Sequence, residues 1–428
     1  MKLKSLVACL LLSAITLASC ANSGAFSDSE IISSGQKREK TAAETFNYAD
    51  GAIEPPKGYN TYSNAAQGLG FKLFRAKYEE HGGKSFAFSP ANTLLQLSLL
   101  ANGASGDAKN EILLNLGGLT AEDVNTCSSY FKSRMEEVAK PKKNEQEDEN
   151  KPFEIPHTSL FNNVFVNNGN EITKAFLQAD AEYYGINIIR TDFSSNDFSE
   201  KQKKLFENYT GSSVDYDKKS NLYTTSSLSV SDSWLSELTD AGSDGYITSE
   251  ESYLSTDKAE GVIKYAKSNP LKFLAVKPKG KTALDDYMSV FDVNEYNALL
   301  NSQDIKNAVA AKLPQFTIDS GEKAKPLSPL LRKSGFYMLF SDDARFKAMN
   351  IAGNLKLSEM YEFEPSLIFS GNALNTPAKI DSDLYKTEKI ESKASGKKTV
   401  SFDEPFIFIL LDNESGIPVM AGVYDNTK

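Results

Sequence analysis

Cysteine, histidine and tryptophan are nearly missing from this chain of 428 residues, which has three, two and one of them. Cys9 and Cys20 sit at the extreme N-terminus, so Cys127 is alone in the body of the protein. One thiol cannot close an intramolecular disulfide, and the fold must be held by its core. A free-thiol nucleophile at Cys127 is conceivable, but a partly buried structural cysteine is the plainer reading. With only His81 and His157, no His/Cys zinc cluster can be assembled. No Gly-x-Ser-x-Gly elbow accompanies either histidine, and no phosphate loop occurs. These absences point away from an enzyme, and no cofactor is expected. Each histidine reads as a surface or strand residue. Basic charge is also in deficit: 47 Lys and Arg stand against 57 Asp and Glu, a net charge of −10. That argues against nucleic acid as a partner and against a polybasic membrane patch.

The N-terminus has its own pattern. Lys2 and Lys4 precede an apolar run from Leu6 to Leu17 that is too short to span a bilayer, followed by Leu17-Ala18-Ser19-Cys20. Small residues before a cysteine read as a bacterial lipoprotein signal, with residues 1–19 removed and Cys20 acylated; a plain secretory signal cleaved nearby is the alternative. The expected location is extracytoplasmic, at the cell surface or the periplasmic face, with membrane attachment through the N-terminal lipid. Loss of residues 1–19 removes two lysines and no acids, so the mature chain is more acidic still. Residues 20–58 are rich in Ser, Asn, Ala, Glu and Lys, end at Pro55-Pro56, and are expected to be a flexible tether. No second linker divides residues 59–428, which are expected to form one monomeric domain. The charge run from Ala139 to Pro152 reads as a solvated surface insertion.

Helix and strand signals are mixed. Ala66, Leu69, Leu73, Phe74 and Tyr78 share one helical face. Ser89 is a fitting N-cap with Pro90 at the first helical position. Leu94, Leu95, Leu97, Leu99 and Leu100 make that helix apolar nearly all round, hence central. Strands are expected at Ser159 to Val166, Ile186 to Thr191, Leu271 to Val276 and Leu313 to Ile318. A final pair, Ile407 to Leu411 and Val419 to Val423, flanks a turn at Asp412 to Gly416. Without regular βαβ alternation, the fold class is α+β.

One segment resembles a calcium loop: Asp240-x-Gly242-x-Asp244-Gly245-x-Ile247-Thr248-x-x-Glu251. Glycine at its third position removes a ligand and no partner loop accompanies it, so a Gly/Asp-rich turn is the better reading and no metal is expected.

Lys379 to Lys398 is a polar stretch, long for a loop inside a compact domain, and loops of that length are commonly functional. Thr399 to Ile409 follows it, alternating and then turning into a buried-type strand from Pro405-Phe406. Taken with several other pieces, this order resembles the serpin family of serine protease inhibitors. The pieces are Phe86-Ala87-Phe88-Ser89-Pro90, Leu97 to Gly103-Ala104, Asn163-Val164-Phe165-Val166, Phe176, Tyr184 and Asp192-Phe193. Further along come Trp234, Lys312-Leu313-Pro314-Gln315-Phe316-Thr317-Ile318, then Leu331, Gly335, Phe336, Phe340-Ser341 and Phe346, and finally Phe402, Pro405-Phe406 and Gly422. The likeness covers roughly residues 62–426, except for a short, divergent stretch between Leu205 and Lys277.

The resemblance implies helices around a large central, mostly antiparallel β-sheet with smaller sheets and an exposed reactive loop. It also implies a function: a target protease cleaves the loop, becomes covalently attached, and is distorted as the loop's N-terminal half inserts into the sheet. Family spacing places the scissile bond at Lys393-Ala394 or Ala394-Ser395. Cleavage after Lys393 turns Ile380, Ser382 and Leu384 inward, then Lys386 and Glu388; cleavage after Ala394 would turn Asp381, Asp383 and Tyr385 inward instead, and unpaired buried carboxylates cost several kcal/mol each. The first register is favoured and suggests a trypsin-like target. The hinge, Ala378, Ile380, Ser382 and Leu384, departs from the family pattern: Gly371 lies too far upstream, and Pro377 cannot donate a ladder hydrogen bond. A non-inhibitory surface binding protein of the same fold is the alternative.

Overall fold

The computed structural model describes residues 25–27, 29–34, 54–136, 156–207, 213–242, 244–378, 380 and 397–426. Residues 1–19, Cys20, the charge run 139–152, Ser382, Leu384, Lys393, Ala394 and Ser395 lie outside the described residues. In chain order the elements are β1 (Ile31–Ser33), α1 (Tyr59–Glu80), β2 (Phe86–Phe88), α2 (Pro90–Gly103), α3 (Gly106–Asn115), α4 (Ala121–Glu136), β3 (His157–Asn167), α5 (Lys174–Ala179), β4 (Asn187–Thr191), α6 (Phe198–Phe206), β5 (Leu222–Ser233), β6 (Leu238–Ala241), β7 (Tyr246–Ser255), β8 (Ala259–Tyr265) and β9 (Leu271–Pro278). They continue as α7 (Leu284–Val290), α8 (Val293–Asn301), β10 (Asp304–Pro314), β11 (Phe316–Ile318), β12 (Lys325–Pro326), α9 (Ser328–Lys333), β13 (Leu357–Phe363), β14 (Leu367–Phe369), β15 (Ala373–Asn375), β16 (Thr399–Ser401), β17 (Phe406–Asp412) and β18 (Pro418–Tyr424).

These strands form two mixed, mostly antiparallel sheets, the α+β architecture expected. The first runs β1-β4-β3-β5-β15-β14-β11, with β13 also pairing with β5 and β12. The second runs β16-β10-β7-β8-β9-β17-β18-β2, with β6 on β7. Where a set of smaller sheets was expected, the second is one continuous array of nine strands.

Local chemistry accounts for the central helix. Ser89 Oγ accepts a hydrogen bond from Asn92 N at 3.3 Å, and Pro90 follows where a missing N–H does no harm. Nearly every side chain of α2 is buried. It lies beneath β3 and β5 and beside α4, with Asn162 Nδ2 on β3 donating to Asn92 Oδ1 at 3.1 Å. α1 packs beside α2 through Tyr62, Leu69, Leu73 and Phe74. A second, smaller cluster of Phe26, Phe165, Phe193, Phe198, Phe206 and Tyr223 fills the space around the N-terminal end of β5.

Two expectations are corrected. The run Leu313 to Ile318 is two strands: β10 ends at Pro314 in one sheet, and β11 begins at Phe316 in the other, with Gln315 at the corner. Part of the expected tether, residues 25–27 and 29–34, is docked on the domain, because Phe26 and Ile31 bury their side chains and β1 joins the sheet edge.

Candidate functional site

The first sheet is forked at β5. Along its N-terminal half β5 pairs in parallel with β13, from Leu222↔Leu357 to Ser227↔Phe363. Beyond Phe363 the chain steps one strand outward to form β14, turns at Ser370–Asn372, and returns as β15. This short strand lies antiparallel between β14 and β5, with Ala373↔Ser233, Leu374↔Asp232 and Asn375↔Ser231. The ladder continues one residue further: Thr376 N donates to Val230 O at 2.9 Å, and Val230 N donates to Thr376 Oγ1 at 2.6 Å. Pro377, with no N–H, ends it. A small polar cleft lies at the tip of this wedge, lined by Ser227, Glu364, Thr376, Pro377 and Ala378 among others. Of the hinge residues, Ala378 is exposed beside the cleft and Ile380 is half-buried.

Trp234 closes the open end of the fork. Its Nε1 donates to Ser370 O at 2.9 Å and its backbone N to Asn372 O at 3.3 Å. Its ring packs against Phe273 and Phe369. Behind it lies a buried cation: Lys264 Nζ is 5.4 Å from the indole centroid and contacts Glu251 Oε1 at 2.5 Å, Ser236 Oγ at 2.7 Å and Ser249 Oγ at 2.9 Å. Burial holds this lysine below its usual pKa even though Glu251 favours the charged form.

This arrangement disposes of the calcium-loop pattern. Asp240 lies on β6, Asp244 in the hairpin turn and Glu251 on β7. Asp244 pairs with Lys312 at 2.9 Å and Glu251 is taken by Lys264. Among the described residues the three carboxylates do not converge on one point.

A second buried charge network grips the closed part of the fork. Lys77, at the end of α1, is fully buried and lies 2.6 Å from Glu364 Oε1 and 3.7 Å from Glu362 Oε2. Glu362 Oε1 also accepts from Ser89 N at 2.6 Å, which ties β13 to the start of α2. Lys325 Nζ reaches Glu364 Oε2 at 2.8 Å and His81 Nε2 reaches Glu364 Oε1 at 3.1 Å. His81 is therefore part of a buried network and not a plain surface residue. Burial pushes Glu362 up to about 7, against the pull of Lys77. Burial also acts to raise Glu364, but His81, Lys77 and Lys325 outweigh it and hold that carboxyl down to about 2. Burial lowers Lys77, yet its two glutamates more than offset this and leave it above the usual lysine value. Glu80, His81 and Glu364 offer a compact set of ligand atoms, but Lys77 and Lys325 already supply the positive charge that a cation would bring.

The far end of the loop is fixed on the second sheet. Thr399–Ser401 pairs in parallel with β10, Ala310↔Thr399 to Lys312↔Ser401. Lys397 Nζ lies 2.5 Å from Glu250 Oε2, and Lys398 Nζ sits 4.2 Å above the Tyr253 ring. The chain between Pro377 and Lys397 thus connects two anchored strands on different sheets. His157 is a strand residue whose Nε2 lies 2.8 Å from Ser229 Oγ. Cys127 is buried and burial raises its thiol to about 12, which suits a structural residue. The wedge and the Lys77 network had no local sequence signal; their members come together only across hundreds of residues.

Comparison with known proteins gives one consistent result. The family model "Serpin (serine protease inhibitor)" matches residues 64–217 and 252–426. No curated protein sequence matches the chain. Among solved structures, the thermophilic serpin tengpin in its native state superposes with a TM-score of 0.65 at 20% identity, covering 88% of this chain and 96% of that one. Human thyroxine-binding globulin complexed with thyroxine gives 0.66 at 16% identity, with 85% and 98% covered. Human glycosylated kallistatin gives 0.66 at 15% identity, with 87% and 100% covered.

Proposed function

Because this chain belongs to the serpin family, we propose that it traps an endopeptidase by offering the segment around residues 379–398 as bait and drawing the cleaved strand into the sheet beside β5. The observation that carries this reading is the β15 wedge, which already occupies the place of the added strand at the hinge end of β5. Continuing its register sets Ile380 opposite Ser226, Ser382 opposite Thr224 and Leu384 opposite Leu222. Side chains alternate along a strand, and Leu374 faces the core, so the even-numbered positions Ala378, Ile380, Ser382 and Leu384 would turn inward with it. That supports cleavage after Lys393, and with it a trypsin-like target, over cleavage after Ala394 ahead of Ser395. For the strand to pass, β13 must leave β5 along Leu222↔Leu357 to Ser227↔Phe363 and release Glu362 from Ser89.

The shut sheet carries a cost that favours such a change. Among the described residues, buried polar atoms without a hydrogen-bond partner gather where α2 meets the sheet: Asn92 Nδ2, Thr93 Oγ1, both side-chain polar atoms of Gln96, Asn162 Oδ1 and Thr224 Oγ1. Each such group costs about 1–3 kcal/mol. The chain acts without catalysis in this reading. The lipoprotein pattern at Cys20 supports an extracytoplasmic, membrane-anchored location. Pro377 favours a second reading: if insertion stalls where the donor is missing, cleavage leads to release, and the protein is a binding module of serpin fold. Incubation with trypsin-like proteases separates the two. An SDS-stable complex of combined mass is expected; nicking without any complex would refute trapping.

A further inference from the structure

Residues 25–34 do not trail away from the domain. β1 lies antiparallel on the edge strand β4, Ile31↔Ile189 and Ser33↔Ile188, and Arg190 N donates to Glu30 O at 2.8 Å. The Glu30 carboxylate accepts from Thr191 Oγ1 at 2.7 Å, Lys201 Nζ at 2.9 Å and Ser27 N at 2.9 Å. Phe26 is 3% exposed and meets Phe165 and Phe198 edge-on at 6.0 and 6.2 Å. Ser33 Oγ donates to Asp180 Oδ2 at 2.5 Å. An aromatic anchor, a strand pairing and a buried polar contact at successive points make this a built attachment.

Its position and direction have a consequence for the bait. β1 runs antiparallel to β4, β4 parallel to β3, and β3 antiparallel to β5, so β1 and β5 point the same way. Register places Ser33 level with Ile188, Val164 and Thr224, near the start of β5. The wedge enters at the other end of β5, where Ala373 pairs with Ser233, and Leu235 stands eleven residues beyond Thr224, roughly 36 Å at the rise of a strand. Glu30 N and Ile31 N both donate to Ser27 O, a turn that brings Phe26 back onto Phe165, so the strap's amino end lies near the start of β5, level with Tyr223 and far from the wedge. Only Ala21, Asn22, Ser23 and Gly24 separate Ala25 from Cys20, a reach of at most about 18 Å.

We propose that residues 25–34 are a mount: with Cys20 lipidated, they hold the β4–α6 flank of the domain against the bilayer surface and turn the hinge end of β5 outward. This rests on the lipid-anchor reading of Cys20; the docking of the strap does not. The flank fits the surface of a bilayer and not its interior. Lys203 and Lys204 are exposed on α6 among Asp197, Glu200 and Glu207, and among the described residues no large exposed hydrophobic side chain lies on β1, β4 or α6. A free leader would let the domain tumble and present the bait in every direction. The mount turns the end of β5 that carries the wedge away from the membrane, toward soluble endopeptidases.

The full-length lipidated chain on phosphatidylcholine vesicles with a headgroup-linked acceptor dye tests this. Lys204→Cys and Leu235→Cys each carry a donor dye; Cys127 stays unlabelled because it is buried, with its thiol raised to about 12. Energy transfer is expected to be at least about fivefold stronger from position 204 than from 235. Two variants should bring the positions within about twofold while the protein still floats with the vesicles: Phe26→Asp with Ile31→Asp, which undocks the strap, and a twenty-residue Gly/Ser insertion after Gly24, which leaves it docked. Equal transfer from both positions in the unaltered chain, or a difference that survives the insertion, would overturn the mount. Failure of the unaltered chain to float would instead overturn the anchor reading on which the orientation rests.

Discussion

Replacing Lys77 with methionine takes a fully buried cation away from two buried carboxylates. Deleting one partner of a buried ion pair costs about 3–5 kcal/mol, because the remaining charge is left without compensation. Glu362, already raised to about 7, can take up a proton and relieve part of the loss. The lower end of that range, about 3 kcal/mol, is expected at pH 8, or roughly 4 °C in Tm for a domain of about 370 residues. The loss should shrink on acidification, and the sign follows from the pKa direction. A glutamate whose folded-state value lies above its ordinary 4.5 contributes stability that is present below that value and lost as pH rises through about 7. At pH 5.5 Glu362 is protonated in the folded chain, so the variant strands one carboxylate, Glu364, which keeps Lys325 and His81. Thermal unfolding at both pH values reads the effect: a deficit at pH 8 about twice that at pH 5.5, and recovery of about 2 °C when Glu362→Gln is added. A deficit below 1 °C at pH 8, or an equal deficit at both pH values, would refute the network's role in holding the shut sheet.

Glu362→Gln alone should flatten the dependence of Tm on pH between 5 and 8, since it removes the group whose folded pKa is raised; an unchanged slope would assign that slope elsewhere. Lys393→Ala should slow complex formation with trypsin-like proteases at least about a hundredfold, measured as the second-order inhibition rate; retention of the rate would move the scissile bond. Pro377→Ala supplies the missing donor at the tip of the wedge, so the fraction of encounters ending in a stable complex should rise, read from the stoichiometry of inhibition; a fall would mean that Pro377 helps insertion. Trp234 is the sole tryptophan and bonds Ser370 and Asn372 directly. Its emission should shift on loop cleavage, and a silent spectrum would place the change away from the fork.

Much of the scaffold was legible because its signals are local. The Ser89-Pro90 helix start, the all-round apolar α2, and the pair β17–β18 about the turn before Gly416 follow from capping, periodicity and alternation. β5 was not legible. Its sequence, Leu-Tyr-Thr-Thr-Ser-Ser-Leu-Ser-Val-Ser-Asp-Ser, shows no clean alternation because the strand is buried on both faces, and its Ser and Thr side chains look like a loop. The strap was hidden by composition: one phenylalanine and two isoleucines carry the docking of a stretch that otherwise reads as a polar tether. Lys77, Glu362 and Glu364 are ordinary charged residues in the sequence; only folding brings them within ion-pair reach and gives them their perturbed pKa values. At the hinge, the family pattern drew attention to residues 378–384, whereas the wedge begins earlier, at Ala373.

The central claim is that a cleaved bait strand joins the sheet alongside β5. Residues 377–384 laid along β5 would put two ladders of backbone hydrogen bonds in place of the single β5–β13 ladder, a net gain of several kcal/mol at roughly 1 kcal/mol per bond. Cutting the chain once between residues 379 and 398 and following thermal unfolding measures this directly. The account predicts that the nicked protein unfolds about 10 °C above the intact one. A Tm that is unchanged or lowered after the cut would contradict it.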